Sequence, residues 1–314
     1  MKSMPYRNMA AELTALDTRI NELLPPRYQH CYASVSPTSM GSAVVSYGPD
    51  GKVAWDQIWT TFCDLALAGG PPHRGKLLEP VSEAEVAAEP EAYQSVVAEI
   101  DRAIGLMIGF RAVPGHAPGW VGVQCSSLEE AAWIQFAVTA ENVSARRRGS
   151  VLQLPAGPAF RVEKEIKNVV VALAKAYHYW DGHLSSAQQS LAGESVWEAA
   201  TPGEAAANPA AYEAALAEVK NGLTKAGVPL SPGRYVGWVG VETASDEDAV
   251  WLLRAVLVEP LLARREENVL YVPIAASMGS EQAAHIVRTL SRAWDLRTTS
   301  APRRGVWRPS GPNR

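Results

Sequence analysis

Two short stretches hold the side chains best suited to chemistry. In His178-Tyr179-Trp180-Asp181-Gly182-His183, an H-x-x-D-x-H spacing sets two imidazoles and a carboxylate together, in what reads as irregular chain after a helix. Zinc and iron accept both ligand types, so His178, Asp181 and His183 are the expected metal set, with a divalent zinc or iron ion as candidate cofactor. His178 and His183 are also acid/base candidates, because an ordinary imidazole titrates near neutral pH. The spacing matches no strong zinc motif, and solvated histidines beside aromatic rings are the plainer alternative. The second stretch is Gly69-Gly70-Pro71-Pro72-His73-Arg74-Gly75-Lys76. A stiff, glycine-bordered loop presenting His73, Arg74 and Lys76 together suits a carboxylate or phosphate. It is not a P-loop, since G-x-x-x-x-G-K-[S/T] is absent. A turn with merely solvated cations is the alternative there.

Cys125 stands at the end of a predicted strand. A thiol becomes a nucleophile when a neighbouring cation or base holds it as thiolate. His30, His73 or His116 could be that neighbour, although an inert buried thiol is the commoner outcome. Arg146 and Arg147, like Arg264 and Arg265, read as cations at helix C-termini, favourable at the negative end of the macrodipole. The alternative is a pair of quasi-symmetric anion sites, although Glu141 and Glu259, five residues before Arg146 and Arg264, could each simply pair with the local arginine.

The elements that must position these groups are legible from an internal repeat. A shift of 118 positions lays Gly119-Trp120-Val121-Gly122-Val123 on Gly237-Trp238-Val239-Gly240-Val241, and the same shift matches Trp133 with Trp251, Glu141 with Glu259 and Pro155 with Pro273. Nearly half the positions from Pro114 to Pro155 recur, far above chance, so the chain reads as a tandem duplication. Each copy reads as helix-strand-helix-strand-helix. Tyr93, Val96, Val97, Ile100 and Ile104 form one apolar stripe, Pro90 suits a first helical position, and Ser126 to Glu130 holds overlapping capping boxes. Strands separated by helices favour an α/β fold with a mostly parallel or mixed sheet covered by helices. The expected divisions are residues 1–80 (N-terminal helix, hairpin and half-repeat), 81–184 (first repeat), 185–207 (polar connector), 208–296 (second repeat) and 297–314 (disordered Arg/Pro-rich tail).

The repeat also sorts residues. Groups kept in both copies are expected to serve the fold, whereas reactive groups in one copy only, as in the His178 to His183 stretch, are freer to serve function. Gly122 and Gly240, inside strands in both copies, signal a bulge or a close approach by backbone or ligand.

Composition narrows the class. A net charge of -4 with 47% hydrophobic residues argues against a nucleic-acid partner. No stretch reads as a signal peptide or membrane span. Three cysteines without C-x-x-C spacing point to a reducing, cytoplasmic setting. The expected function is an enzyme acting on a small anionic metabolite, its site lying between the N-terminal half-repeat and the first repeat. Arg74, Lys76, Arg146 and Arg147 would orient substrate, while His73, His178, His183 and Cys125 would do the chemistry. No common nucleotide, hydrolase or zincin motif is present, so no reaction class follows. The alternative is a non-catalytic binding or assembly protein, a homo-oligomer held by a tryptophan-rich interface and the arginine tail. Ten tryptophans against four phenylalanines motivate it.

Overall fold

The computed structural model describes residues 6–23, 45–58, 65–68, 72–190 and 197–300. The expected strands at 30–35 and 43–47 fall wholly or largely outside these residues, as does most of the tail. Helix α1 (Tyr6–Glu22) lays Ile20 into the core, with Leu13 and Leu16 packed against it. A tight turn over Pro49-Asp50-Gly51 pairs Tyr47 with Val53, and the short helix α2 (Trp55–Ile58) follows.

The first unit begins at Ser82, whose side chain and Glu85 form a reciprocal capping box at the start of α3 (Glu83–Ala88). Helix α4 (Pro90–Ile108) buries the expected Tyr93, Val96, Ile100 and Ile104 stripe. Strands β1 (Ala112–Pro114) and β2 (Trp120–Gln124) lead to α5 (Leu128–Ala140), capped by Ser127. Strands β3 (Arg146–Arg148) and β4 (Val151–Pro155) come next, then one π-helical turn (Val162–Ile166) opening α6 (Lys167–Gly182). The stretch read as a connector holds α7 (Ser186–Ser190) and α8 (Pro202–Ala207), the latter with its own capping box from Thr201 and Glu204. Helix α9 (Pro209–Lys225), strand β5 (Trp238–Glu242), helix α10 (Asp246–Leu257), strands β6 (Arg264–Glu266) and β7 (Val269–Pro273) and helix α11 (Ser280–Ser300) complete the second unit. As their all-round apolar sequences imply, α5 and α10 are buried over most of their length.

The chain is a mixed α/β protein, but both sheets are antiparallel, in the orders β1-β2-β4-β3 and β5-β7-β6. The mostly parallel sheet expected from the sequence is corrected by one short strand per unit. A helix joining β2 directly to β4 would make them parallel. Instead the chain leaves α5 into β3, turns at Gly149-Ser150, and returns as β4 between β2 and β3, antiparallel to both. The register recurs in the second sheet, where Trp238 faces Pro273 as Trp120 faces Pro155. Arg146 and Arg147 are therefore strand residues, not helix-terminal cations; a run of arginines carries none of the usual strand signal.

Gly119 and Gly237 hold each unit's entry into its central strand. Their φ angles are +86° and +77°, and a Cβ there would sit 2.3 Å from the Val81 oxygen or 2.2 Å from the Ala200 oxygen. At Gly122 and Gly240 the close approach is made by neighbouring chain: a Cβ would meet Val113 Cγ2 at 2.8 Å and Ser231 Cβ at 2.9 Å.

The units also grip one another. Arg146, stacked on Trp120, donates to Glu204 and to the Ala199 oxygen of the second unit. In the other direction the Leu77 amide donates to Glu266 Oε1 (3.3 Å), and Asn142 Nδ2 donates to the Arg265 oxygen (2.8 Å).

Candidate functional site

The densest constellation lies where the N-terminal segment meets α5 and α6. Glu141, the C-cap of α5, is fully buried. Its Oε1 accepts from the Ala66 amide (2.9 Å) and pairs with Lys175 Nζ (2.8 Å), and its Oε2 accepts from the His73 amide (2.6 Å). A buried carboxylate needs such a set, because an uncompensated charge in the interior is very costly. Lys175 is 2% exposed on α6 and Lys167, at the start of that helix, is 7% exposed. Asn168 and Lys175 are seven residues apart, two helical turns, so they share the α6 face that meets His73.

Both ring nitrogens of His73 are shielded from solvent and make no hydrogen bond of ordinary geometry. Burial first, then Lys175, Lys167 and Arg74, push its pKa down to about 3, against a smaller opposing effect of Asn168. These surroundings favour the neutral form of the His73 imidazole. Burial likewise lowers the pKa of Lys167. Arg74 donates from Nε to the Lys76 oxygen (3.1 Å), and Lys76 lies exposed. The π-helical turn that delivers Lys167 and Asn168 is an irregularity of a kind often found at functional sites.

The second expected stretch takes a different form. His178 and Asp181 lie in the C-terminal part of α6 and His183 is its C-cap, so the stretch is helical rather than irregular. His178 Nε2 and His183 Nε2 meet at 2.9 Å. Asp181 does not complete a ligand triad: among the described residues, no three His, Cys, Asp or Glu side chains gather as a metal set. Burial, then His183, lower the pKa of His178, with Asp181 opposing.

The remaining candidates have structural work. Cys125 is 3% exposed, and burial with Glu130 pushes its thiol up to about 12. These surroundings favour the protonated thiol over the thiolate. Arg146 is occupied by Glu204, whose carboxyl it and Thr201 hold down at about 2. Arg147 is half-buried in β3, its amide donating to Glu198 Oε1 (2.6 Å). Neither arginine meets the His73 cluster in any contact above.

Sequence reasoning passed over Lys167, Asn168, Lys175 and Asn142. The lysines read as ordinary helix residues; only the apolar run around Val169 to Leu173 hinted that cations beside it would be buried. Asn142, at φ +60° and fully buried, donates to the Arg74 and Arg265 oxygens (2.8 Å each) and accepts from Arg264 Nη1 (3.1 Å). Nothing in its sequence context marks it as that junction.

No protein-family model and no curated protein matches the chain. A solved structure described as SPT with PLP internal aldimine, at high resolution, is similar over 46% of this chain and 36% of that one, at 12% identity and a TM-score of 0.24. A likeness at that level carries no argument about fold or chemistry. Among the described residues no helix is long and apolar enough to cross a membrane.

Proposed function

We propose that this protein is a cytoplasmic enzyme acting on a small anionic molecule, a carboxylate or phosphate, held where the loop of His73 and Arg74 meets α6. One observation carries the reading: a neutral, shielded imidazole sits among Lys167, Lys175 and Arg74, which all depress its pKa, while Glu141 pairs with Lys175. A local excess of positive charge in a low-dielectric setting favours an anion. A neutral imidazole can add one directed hydrogen bond without adding charge. Lys167 and Arg74 supply charge in this reading, His73 supplies the hydrogen bond, and Glu141 with Lys175 holds the loop in place. Lys76, exposed beside Arg74, serves the approach of the anion from solvent.

The repeat read from the sequence gives this reading its context. Glu259, the counterpart of Glu141, pairs instead with the exposed Arg19 of α1, so the second copy does not repeat the Glu141–Lys175 pair. The assembly alternative is weaker on this fold. Trp55, Trp120, Trp133, Trp180, Trp238 and Trp251 are buried in the chain's own core, and residues 301–314 of the arginine tail lie outside the described residues.

Thermal denaturation in phosphate, sulfate and small carboxylates, against sodium chloride of equal ionic strength, tests the proposal. Specific binding raises Tm with ligand concentration, because a ligand that binds only the folded state stabilises it by mass action. The rise is expected to vanish in Lys167→Met and in His73→Asn. An equal rise in those variants, or none with any anion, defeats the proposal.

A further inference from the structure

We propose that His178 and His183 form a two-point chelate for a late first-row divalent cation, copper or nickel above zinc, at the C-terminal end of α6. The two Nε2 atoms meet at 2.9 Å. Metal–imidazole bonds of about 2.0–2.1 Å set the two nitrogens of a right-angled pair about 2.9 Å apart, whereas a tetrahedral pair needs about 3.3–3.4 Å. The spacing therefore suits adjacent corners of a square-planar or tetragonal site, the geometry that marks Cu(II) or Ni(II).

The fold holds the pair in place. His178 is fixed near the C-terminal end of α6, and His183 is the cap residue whose amide donates to the Tyr179 oxygen at 3.1 Å. The Tyr179 ring is buried and lies 5.1 Å from the His183 ring, so it backs that imidazole. The two imidazoles meet nearly edge to face, with ring centroids 4.7 Å apart. In the metal-free pair one Nε2 carries the proton it donates to the other. On binding, that proton moves to Nδ1 of the same ring, and both Nε2 lone pairs go to the cation with no net proton released. Asp181 is not a ligand in this arrangement, and water would fill the other positions. The site is separate from the His73 cluster and does not depend on the anion reading.

The test is copper(II) titration of the full chain without a histidine tag, read by calorimetry and by electron paramagnetic resonance. One equivalent is expected to bind with hyperfine structure from two nitrogens, and nickel is expected to compete better than zinc. His178→Ala and His183→Ala should each weaken binding at least about tenfold. Asp181→Asn should leave both the stoichiometry and the spectrum unchanged. Circular dichroism of each variant checks that the fold is intact. Wild-type binding in either histidine variant, a signal with fewer than two nitrogens, or loss of the site in Asp181→Asn would each overturn the assignment.

Discussion

At the scale of single residues, the environment reverses what side-chain identity suggests. His73 has the side chain of a neutral-pH proton carrier, yet burial and three cations hold its pKa at about 3. The unfolded chain gives it an ordinary value near 6.5, so between the two values the unfolded state takes up a proton that the folded state refuses. His73's contribution to stability is fully present above about pH 6.5 and is lost as pH falls toward about 3. Urea denaturation of wild type and His73→Asn across pH 7.5 to 4.5 measures this. The stability difference between the two should fall by up to about 1.4 kcal/mol per pH unit below 6.5. A flat difference would mean that the imidazole is solvated.

At the scale of elements, the two antiparallel sheets share a register, with Trp120 facing Pro155 as Trp238 faces Pro273. Tyr93 OH donates to the Trp120 oxygen (2.9 Å), while Tyr212 OH accepts from the Gly237 amide (2.8 Å). Tyr93 also meets the backbone of Gly119, the position matching Gly237, so each tyrosine ties its helix to the entry of the following strand. The glycines show the backbone constraint most directly. Gly119→Ala and Gly237→Ala each place a Cβ against a backbone oxygen and force a non-glycine residue to positive φ. Each is expected to cost about 3 kcal/mol or more, seen as a fall in the urea midpoint with little change in slope. Gly149→Ala is a useful contrast: it too has positive φ, at +60°, but nothing lies within 4 Å of its Cβ, so only the conformational cost of about 1 kcal/mol applies. Equal losses at all three sites would rule out steric contact as the cause.

At the scale of the whole molecule, Asn142 ties the N-terminal loop, the first unit and the second unit together through Arg74, Arg264 and Arg265. Asn142→Ala removes three hydrogen bonds at a buried site and is expected to cost about 2–4 kcal/mol. Asn142→Gly should recover only the part due to its positive φ. Because the units share this junction and the Arg146–Glu204 pair, wild type is expected to unfold in one transition by both tryptophan fluorescence and far-ultraviolet circular dichroism. Two separated transitions would show that the junction does not couple the units.

The sequence by itself determined the long helices, most of their caps, the buried middle helix of each unit and the positions of the central strands, because these follow from local periodicity and from groups that meet within a few residues. It also brought out His73, His178 and His183. It missed the arginine strands β3 and β6, and so misjudged the sheet direction, since three charged residues at a sheet edge carry no alternation to read. Only the tertiary structure decided which polar groups are enclosed. Lys167, Lys175 and Glu141 come from separate places along the chain and meet His73 through packing. Shielding by that packing sets whether each group is charged, solvated or inert, which is why Cys125 is a core thiol and His73 a neutral imidazole.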